Sequence, residues 1–259
     1  MPSAPCGVPC SVSPRPELQG QRLWWALCLA LALPTLLLNA ALRTWLPQGS
    51  VPLDAAVASW PPLAQALALR PDAGLSQAPW VWWSTAWLHG SMPHLLRNLA
   101  GLTLMAALVA LMRPSRHAAL AGWLAWPLTQ LGMLMQPSLS SYVGLSGVLH
   151  AGVTVLALDA LMRSPRQPPP MPTSPTAPHT VSRLAPSATG LRLGAIALLA
   201  GLSAKVLMEN PWGQALVASP SSAINVAPWA HLSGCAAGAL ATLVPWALTA
   251  GSRLARRCH

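Results

Sequence analysis

The chain has 259 residues, of which 53% are hydrophobic and only 8% are charged, and its mean hydropathy is +0.47. Soluble domains carry about a quarter of their residues as charges, so this composition excludes an ordinary soluble protein and predicts an integral membrane protein. The net charge of +10 comes almost entirely from arginine. The arginines lie mainly between apolar runs, which indicates membrane topology rather than a nucleic-acid partner.

The apolar runs predict an all-α integral membrane protein with six transmembrane helices in a domain over residues 21–250. The predicted spans are 23–46, 92–112, 118–135, 144–162, 191–208 and 229–248. Between the first two spans, residues 47–88 form a long connection whose tryptophans are expected in or on the membrane interface. These tryptophans are Trp60, Trp80, Trp82, Trp83 and Trp87.

Three further segments have the composition of chain that lies outside the membrane. Residues 1–20 are rich in proline and serine and predict a disordered tail, and residues 163–190 predict a disordered linker for the same reason. Residues 251–259 form a basic C-terminal tail. Six spans place both termini on one side. Most of the fifteen basic residues fall on that side too, so both termini and the linker are predicted to be cytoplasmic.

Three polar residues fall at the start of alternate spans in this topology. His94, Ser146 and His231 each lie within about the first turn of spans 2, 4 and 6, which all run inward from the outer face. Ionisable groups inside a bilayer are costly, so their presence at one depth is a hypothesis of function. The structural alternatives are that Ser146 caps a helix and that the histidines pack or form local hydrogen bonds.

A serine is a weak nucleophile until a base takes its proton, and His231 is the candidate base for Ser146 if spans 4 and 6 touch. Gly234 and Gly238 lie on the same helical face as His231 and permit close approach of another helix. Small residues near the serine make the facing surface of span 4 similarly thin. They are Gly144 and Gly147.

No third member of a catalytic triad is evident from the spacing. Asp159 lies about 20 Å down its helix from the serine, four residues before Arg163, a spacing that allows a local ion pair between them. Asp54 and Asp72 lie in the long first connection. We therefore expect a serine–histidine dyad. Lys205 and Glu209 are four residues apart on span 5, which favours a local ion pair over a role in the chemistry.

Acyl transfer also needs donors aimed at the developing oxyanion. His94 and Asn98 share a face of span 2 and are the candidates, with the Ser146 backbone N–H as a third donor. His94 has a structural alternative, and Asn98 has the alternative of a hydrogen bond to a neighbouring helix. His89, just before span 2, is expected to be a structural hydrogen-bonding partner.

The three signatures together resemble rhomboid intramembrane serine proteases. They are His-x4-His-x3-Asn (His89, His94, Asn98), Gly-x-Ser-Gly (Gly144, Ser146, Gly147) and Ala-His-x2-Gly-x3-Gly (Ala230, His231, Gly234, Gly238). The likeness covers roughly residues 80–245. It implies a six-helix bundle in which Ser146 attacks a peptide bond in or beside a transmembrane helix. It also implies that His231 acts as base and that His94 and Asn98 stabilise the oxyanion.

Two segments are similar to the rhombosortase subgroup: Gly-Leu-Ser-Gly-Val-Leu-His around the serine and Ala-Lys-Val-Leu-Met-Glu at 204–209. That likeness implies a multi-pass protein of a bacterial inner membrane, with its active site near the periplasmic face. The implied substrate is a membrane-anchored protein, possibly one with a C-terminal Gly-Gly tail. His150 is a departure, because many rhomboids have a tyrosine there; we favour packing against His231 over a proton-transfer role. No clear Trp-Arg loop motif occurs in residues 47–88.

Two other functions remain open at the level of sequence. A rhomboid-like pseudoprotease would bind membrane helices without cutting them, although both members of the predicted dyad are present. A metal or haem membrane protein would use histidines as ligands, although no His-Glu-x-x-His or Cys-x-x-Cys-His motif occurs. The sequence predicts no cofactor and no metal, and the predicted partners are the lipid bilayer and a protein substrate.

Overall fold

The computed structural model describes residues 16–42, 53–163, 187–219 and 224–255. Within these ranges the chain forms nine α-helices and a pair of antiparallel strands, β1 (Val217–Ser219) and β2 (Ile224–Val226). The helices are α1 (Pro16–Leu42), α2 (Leu53–Ala58), α3 (Pro62–Leu67), α4 (Val81–Ser84), α5 (Met92–Met112), α6 (Arg116–Gly132), α7 (Ser146–Met162), α8 (Ala188–Met208) and α9 (Pro228–Ala255). Short 3-10 turns occupy Pro71–Ala73, Thr85–Trp87 and Met133–Met135.

Among the residues that the structure describes, four helical segments are long and apolar enough to cross a membrane. They are Leu18–Leu42, Met92–Met112, Arg116–Met135 and Ala188–Met208, and the apolar helix α7 is shorter. Leucines on α1, α5 and α8 point outward, as lipid-facing side chains do; examples are Leu33, Leu104 and Leu193. A largely helical membrane protein is therefore confirmed, with the small β1–β2 pair as an addition that the sequence did not predict. Each strand has only three residues, too few for a recognisable alternation.

The helix ends correct three predicted boundaries. α1 begins at Pro16, so the end of the predicted tail 1–20 is helical. Gly20 packs on the α5–α6 turn, where a Cβ would lie 2.4 Å from the Pro114 carbonyl oxygen. α8 begins at Ala188 rather than Leu191, because Ser187 caps it by accepting a hydrogen bond from the Gly190 N–H at 3.0 Å. The predicted tail 251–259 continues α9 as far as Ala255. The rest of the tails, residues 1–15 and 256–259, and residues 164–186 of the linker lie outside the described residues.

α7 is the central helix of the bundle. It packs against α5, α6, α8 and α9, and most of its residues are buried. α8 is mostly exposed. The structure describes all of its residues, and only Ala195 and Val206 among them are buried. The central position of α7 leaves its first residue, Ser146, partly buried among the neighbouring helices.

The connection between α1 and α5 holds the segment that leads into α7. Leu69 and Tyr142 form an antiparallel bridge, and the Thr85 hydroxyl donates to the Tyr142 carbonyl at 2.6 Å. The Gly144 N–H in turn donates to the Thr85 carbonyl at 3.0 Å. These bonds fix the backbone immediately before Ser146.

The tryptophans of this connection do not all lie at its surface. Trp80 and Trp83 are exposed, as an interfacial position requires. Trp60 is instead buried with Leu53 and Val57 inside the connection. The indole N–H of Trp87 donates to the Ala30 carbonyl at 3.0 Å and so ties the connection to α1.

A polar cluster joins the helices at the opposite end of α7. Asp159 and Arg163 form the predicted ion pair at 3.1 Å. Asp159 also accepts from the Ser115 hydroxyl at 2.7 Å, and the Arg163 guanidinium donates to the carbonyls of Met112 and Arg113 at 2.9 and 3.0 Å. The pair therefore binds the α5–α6 turn to the end of α7, beyond the local role that its spacing suggested.

Candidate active site

The predicted nucleophile and base are in hydrogen-bonding contact. Ser146 is the first residue of α7, and His231 is the fourth residue of α9. The His231 Nε2 lies 3.0 Å from the Ser146 Oγ, and His231 is buried. The sequence predicted this contact only if spans 4 and 6 touch, and the corresponding helices α7 and α9 do touch here.

Glycines allow α7 and α9 to approach this closely. A Cβ on Gly234 would lie 2.0 Å from the Gly147 carbonyl oxygen, and one on Gly238 would lie 2.5 Å from the Ala151 carbonyl oxygen. On the other helix, a Cβ on Gly147 would lie 2.7 Å from the Ala230 carbonyl oxygen. Real Cβ atoms do not occupy such positions, so the predicted small-residue interface is confirmed for these three glycines.

Contacts with α6 fix the rotation and height of α9. The Ser233 hydroxyl donates to the Thr129 carbonyl at 2.8 Å, and the indole N–H of Trp229 donates to the Gly132 carbonyl at 2.8 Å. Both donors lie within two residues of His231. These hydrogen bonds hold the imidazole at the level of Ser146.

Gly144 has a different neighbour from the one predicted. Because α7 begins at Ser146, Gly144 precedes the helix and does not contribute to its α9-facing surface. Its φ is +134°, a conformation that L side chains rarely adopt. A Cβ there would lie 2.9 Å from Cε1 and 3.1 Å from Nε2 of His94. Gly144 thus lets the His94 ring lie against the backbone that leads to the serine.

Two of the three oxyanion candidates, Asn98 and the Ser146 N–H, supply donors without an acceptor among the described residues. Asn98 is buried, and its side-chain NH2 has no hydrogen-bond partner among the described residues. The Ser146 N–H belongs to the first turn of α7 and has no intrahelical acceptor. His94 is only partly buried, and Ser91 caps its helix by accepting from the His94 N–H at 3.3 Å.

His89 has the structural contacts that the sequence led us to expect. Its backbone N–H donates to the Asn39 side-chain oxygen at 3.0 Å, and its Nδ1 lies 3.3 Å from the Trp87 carbonyl. Its ring meets His94 edge-on with centroids 5.0 Å apart. Burial, reinforced by the nearby His94, lowers the pKa of His89 to about 3, so this histidine is neutral.

His150 packs against the base, as predicted. Its ring stacks on His231 with centroids 4.1 Å apart and an interplanar angle of 12°. Its Nδ1 lies 2.7 Å from the Ser146 carbonyl oxygen, so Nδ1 carries the proton and donates to it. His150 therefore supports both members of the Ser146–His231 pair from one side.

The expectation of a two-residue dyad is incomplete, because a carboxylate contacts the base. Glu209 Oε2 lies 2.5 Å from His231 Nδ1, on the opposite side of the ring from Ser146. Glu209 also forms the predicted ion pair with Lys205 at 2.6 Å. Burial raises the pKa of Glu209, but hydrogen bonds from His231 and Lys205 outweigh this and lower it to about 2.

One signal in the sequence could have identified Glu209. In the predicted topology, span 5 ends at the face where span 6 begins, so a carboxylate directly after span 5 is expected at the level of His231. The four-residue spacing from Lys205 explained Glu209 as half of a local ion pair, so its contact with His231 was not predicted.

The assembled groups are ones that acyl transfer uses: a hydroxyl, a base whose Nε2 faces it, a carboxylate behind the base and an N–H donor on the serine itself. Within the described residues, no group of three or more His, Cys, Asp and Glu side chains is placed to hold a metal ion. Comparison of the chain with profiles of known protein families, with curated proteins and with solved structures returned no match.

Proposed function

We propose that the protein is a rhomboid-type intramembrane serine endopeptidase that cuts peptide bonds in or next to transmembrane segments. The observation that carries the proposal is the 3.0 Å contact between Ser146 Oγ and His231 Nε2 at the ends of two packed apolar helices. A hydroxyl used only as a helix cap needs no histidine, and a buried packing histidine needs no serine at its Nε2. The pairing is what a nucleophile and its base require.

In the first step, Ser146 Oγ attacks the carbonyl carbon of the scissile peptide bond. The hydroxyl proton passes to His231 Nε2, and the carbonyl oxygen becomes the oxyanion of a tetrahedral intermediate. Collapse of this intermediate breaks the C–N bond, and His231 returns the proton to the leaving amine. The products are a free amine fragment and an ester between Ser146 and the remaining fragment.

In the second step, water takes the place of the amine. His231 accepts a proton from the water as its oxygen attacks the ester carbonyl, and a second tetrahedral intermediate forms. Its collapse breaks the bond to Ser146 Oγ, which recovers its proton from His231. The Ser146 N–H, His94 and Asn98 would donate to the oxyanion of both intermediates, where preorganised donors have their largest effect.

The proposed setting is a bundle of six membrane spans with both termini in the cytoplasm of a bacterium. The site would lie near the periplasmic face of the inner membrane. A site at the ends of the helices gives water access for the second step while remaining next to lipid, where an anchored substrate resides. The proposed substrate class is a protein with a single membrane anchor, with a C-terminal Gly-Gly tail as the first variant to test.

The test combines a serine-directed probe with a cleavage assay in detergent or liposomes. A fluorophosphonate should label wild type but neither Ser146→Ala nor His231→Ala. A membrane-anchored substrate with a Gly-Gly tail should be cut by wild type alone, and the double variant should be no worse than either single variant, since the pair acts as a unit. Labelling of Ser146→Ala at the wild-type rate would refute the proposal, and metal analysis of the purified protein would test the histidine-ligand alternative.

The oxyanion assignment is tested with the same substrate. Asn98→Ala and His94→Ala should bind substrate normally, and each should lose about 100- to 1000-fold in turnover, the usual cost of one missing donor. Asn98→Ala should be the milder change, because water can replace an amide most easily. Normal turnover by Asn98→Ala together with loss of folding in His94→Ala would return both residues to structural roles.

A further inference from the structure

The Glu209 carboxylate lies between two donors at the outer end of the helix pair α8 and α9. Its Oε1 is 2.6 Å from the Lys205 Nζ, and its Oε2 is 2.5 Å from the His231 Nδ1. The Lys205 Nζ is itself 3.4 Å from that Nδ1. Glu209 is about a quarter exposed and Lys205 about half exposed, whereas His231 is enclosed.

These contacts determine which nitrogen of His231 carries the proton. A carboxylate only accepts, so Nδ1 must hold its hydrogen to bond Glu209 Oε2. The Lys205 Nζ could bond Nδ1 only by donating to it, but that contact is much the longer of the two. The lone pair of the neutral ring then lies on Nε2, which faces Ser146 Oγ at 3.0 Å. This is the tautomer that can accept the serine proton.

A carboxylate in this position is locally unfavourable. Glu209 is the C-terminal cap of α8, where the helix dipole disfavours negative charge. Lys205 alone would form an ordinary exposed ion pair, which contributes little to stability. The contact with His231, 22 residues later, gives the carboxylate a function that a local pair does not explain.

We propose that Glu209 is a positioning residue that holds His231 in the tautomer whose Nε2 is free to accept the serine proton, and that Lys205 orients the Glu209 carboxylate toward His231. This inference rests on the proposed function. Lys205 also offsets the charge of Glu209, so the ring gains an orienting acceptor without a full net negative charge beside it. Because the pKa of Glu209 is about 2, the carboxylate stays ionised near neutral pH and serves as an acceptor rather than a proton carrier.

The decisive variants are Glu209→Gln and Glu209→Ala. In Glu209→Gln, Lys205 still donates to the amide oxygen, so the NH2 group is turned toward His231 Nδ1. Nδ1 must then accept, the ring proton moves to Nε2, and the base is lost. We expect the rate of fluorophosphonate labelling to fall by about 1000- to 10,000-fold, as in triads whose acid is replaced by its amide. Glu209→Ala leaves both tautomers available, so its loss should be smaller by a factor of about 10 or more.

A purely structural role makes the opposite prediction. Glutamine preserves the volume of Glu209 and its bond to Lys205, so a structural residue would tolerate Gln better than Ala. The double variant Lys205→Met/Glu209→Gln is the matched control, because without Lys205 the amide can turn its oxygen to Nδ1. It should label faster than Glu209→Gln alone.

The pH dependence of labelling gives a second readout. The groups near His231 are Glu209 and Lys205 from α8 and the stacked His150 from α7, with His94 of α5 close enough to interact electrostatically. A neighbouring cation disfavours the imidazolium, so Lys205→Met should move the acid limb of the labelling profile to higher pH. Loss of the carboxylate in Glu209→Ala should move it to lower pH.

The outcomes separate this inference from the proposed function. If wild type is not labelled at Ser146, the proposed function fails. If wild type is labelled but Glu209→Gln matches it, or exceeds Glu209→Ala, only the positioning role is overturned. Should Glu209→Gln fail to fold, the ring ¹⁵N chemical shifts of His231 decide: a ring protonated at Nδ1 in wild type that becomes a mixture of tautomers in Glu209→Ala supports the role, and the same tautomer in both proteins overturns it.

Discussion

His89 shows how a single buried residue makes the stability of the bundle depend on pH. Burial, aided by His94, lowers its pKa to about 3, whereas an exposed histidine titrates near 6.5. At pH values between these two pKa values, the unfolded chain binds a proton that the folded chain does not bind, so stability falls as pH falls. The contribution from His89 is fully present above about pH 6.5 and is lost progressively toward its folded pKa.

Between pH 7 and pH 5, the lowered pKa of His89 should reduce the free energy of unfolding by about 2 kcal/mol. Thermal melts of wild type and His89→Gln in detergent at both pH values measure it, and the variant should lose less on acidification. His117→Gln, at an exposed position in the first turn of α6, is the matched control and should melt like wild type. Equal acid sensitivity in His89→Gln and wild type would contradict the prediction.

At the scale of residues, the roles readable from the sequence were those that follow from spacing alone. The pairs Asp159–Arg163 and Lys205–Glu209 were predicted because four residues is one helical turn. The His231 contact of Glu209 was missed because spacing within one helix does not reveal which way a side chain turns toward another. The same reasoning applies to Gly144, whose neighbour depends on the residue at which α7 begins.

At the scale of elements, the α7–α9 interface determines whether the site exists. Gly234→Ala would place a Cβ 2.0 Å from the Gly147 carbonyl oxygen, so the two helices must separate. Overpacking of this kind costs about 1–3 kcal/mol, and a displacement of about 1 Å between reacting groups can cost about 100-fold in rate. Gly234→Ala should therefore melt earlier and label at Ser146 at least about 100-fold more slowly.

The matched control for this interface is Gly201→Ala on α8, where an added Cβ has no atom within 4 Å. Alanine favours a helix over glycine by up to about 1 kcal/mol, so this variant should label normally and melt at the same temperature or higher. Normal labelling by Gly234→Ala would show that the helices can part without moving His231 from Ser146.

The interface was predictable because close helix packing needs small residues at helical spacing, and Gly234 and Gly238 supply them. The connection between α1 and α5 was less predictable. It consists of short helices, and the Leu69–Tyr142 bridge ties it to a segment far away in sequence. Trp60 is buried by contacts that no local sequence pattern indicates. Local periodicity describes the faces of long helices well and long-range contacts poorly.

At the scale of the whole molecule, polar groups gather at the two ends of the bundle for different purposes. Ser146 and His231 begin α7 and α9, and Glu209 directly follows α8, so the candidate site occupies one end. The cluster of Asp159 and Arg163 joins α5, α6 and α7 at the other end. Arg113, Arg116 and Arg163 lie at that second end, and this separation allows the orientation in the membrane to be tested.

The positive-inside rule predicts that the arginine-rich end, with the 163–190 linker, is cytoplasmic and that the site faces the periplasm. Alkaline phosphatase inserted in the linker should be inactive, because that enzyme matures only outside the cytoplasm, whereas a fluorescent protein there should be bright. Fusions of the same reporters within the 136–141 connection, which lies at the site end, should show the reverse pattern. Since the linker connects the end of α7 that is remote from Ser146 to the start of α8, insertion there should also leave labelling of Ser146 unchanged. Active phosphatase in the linker would invert the orientation and place the candidate site at the cytoplasmic face, where a periplasmic sorting tail could not reach it.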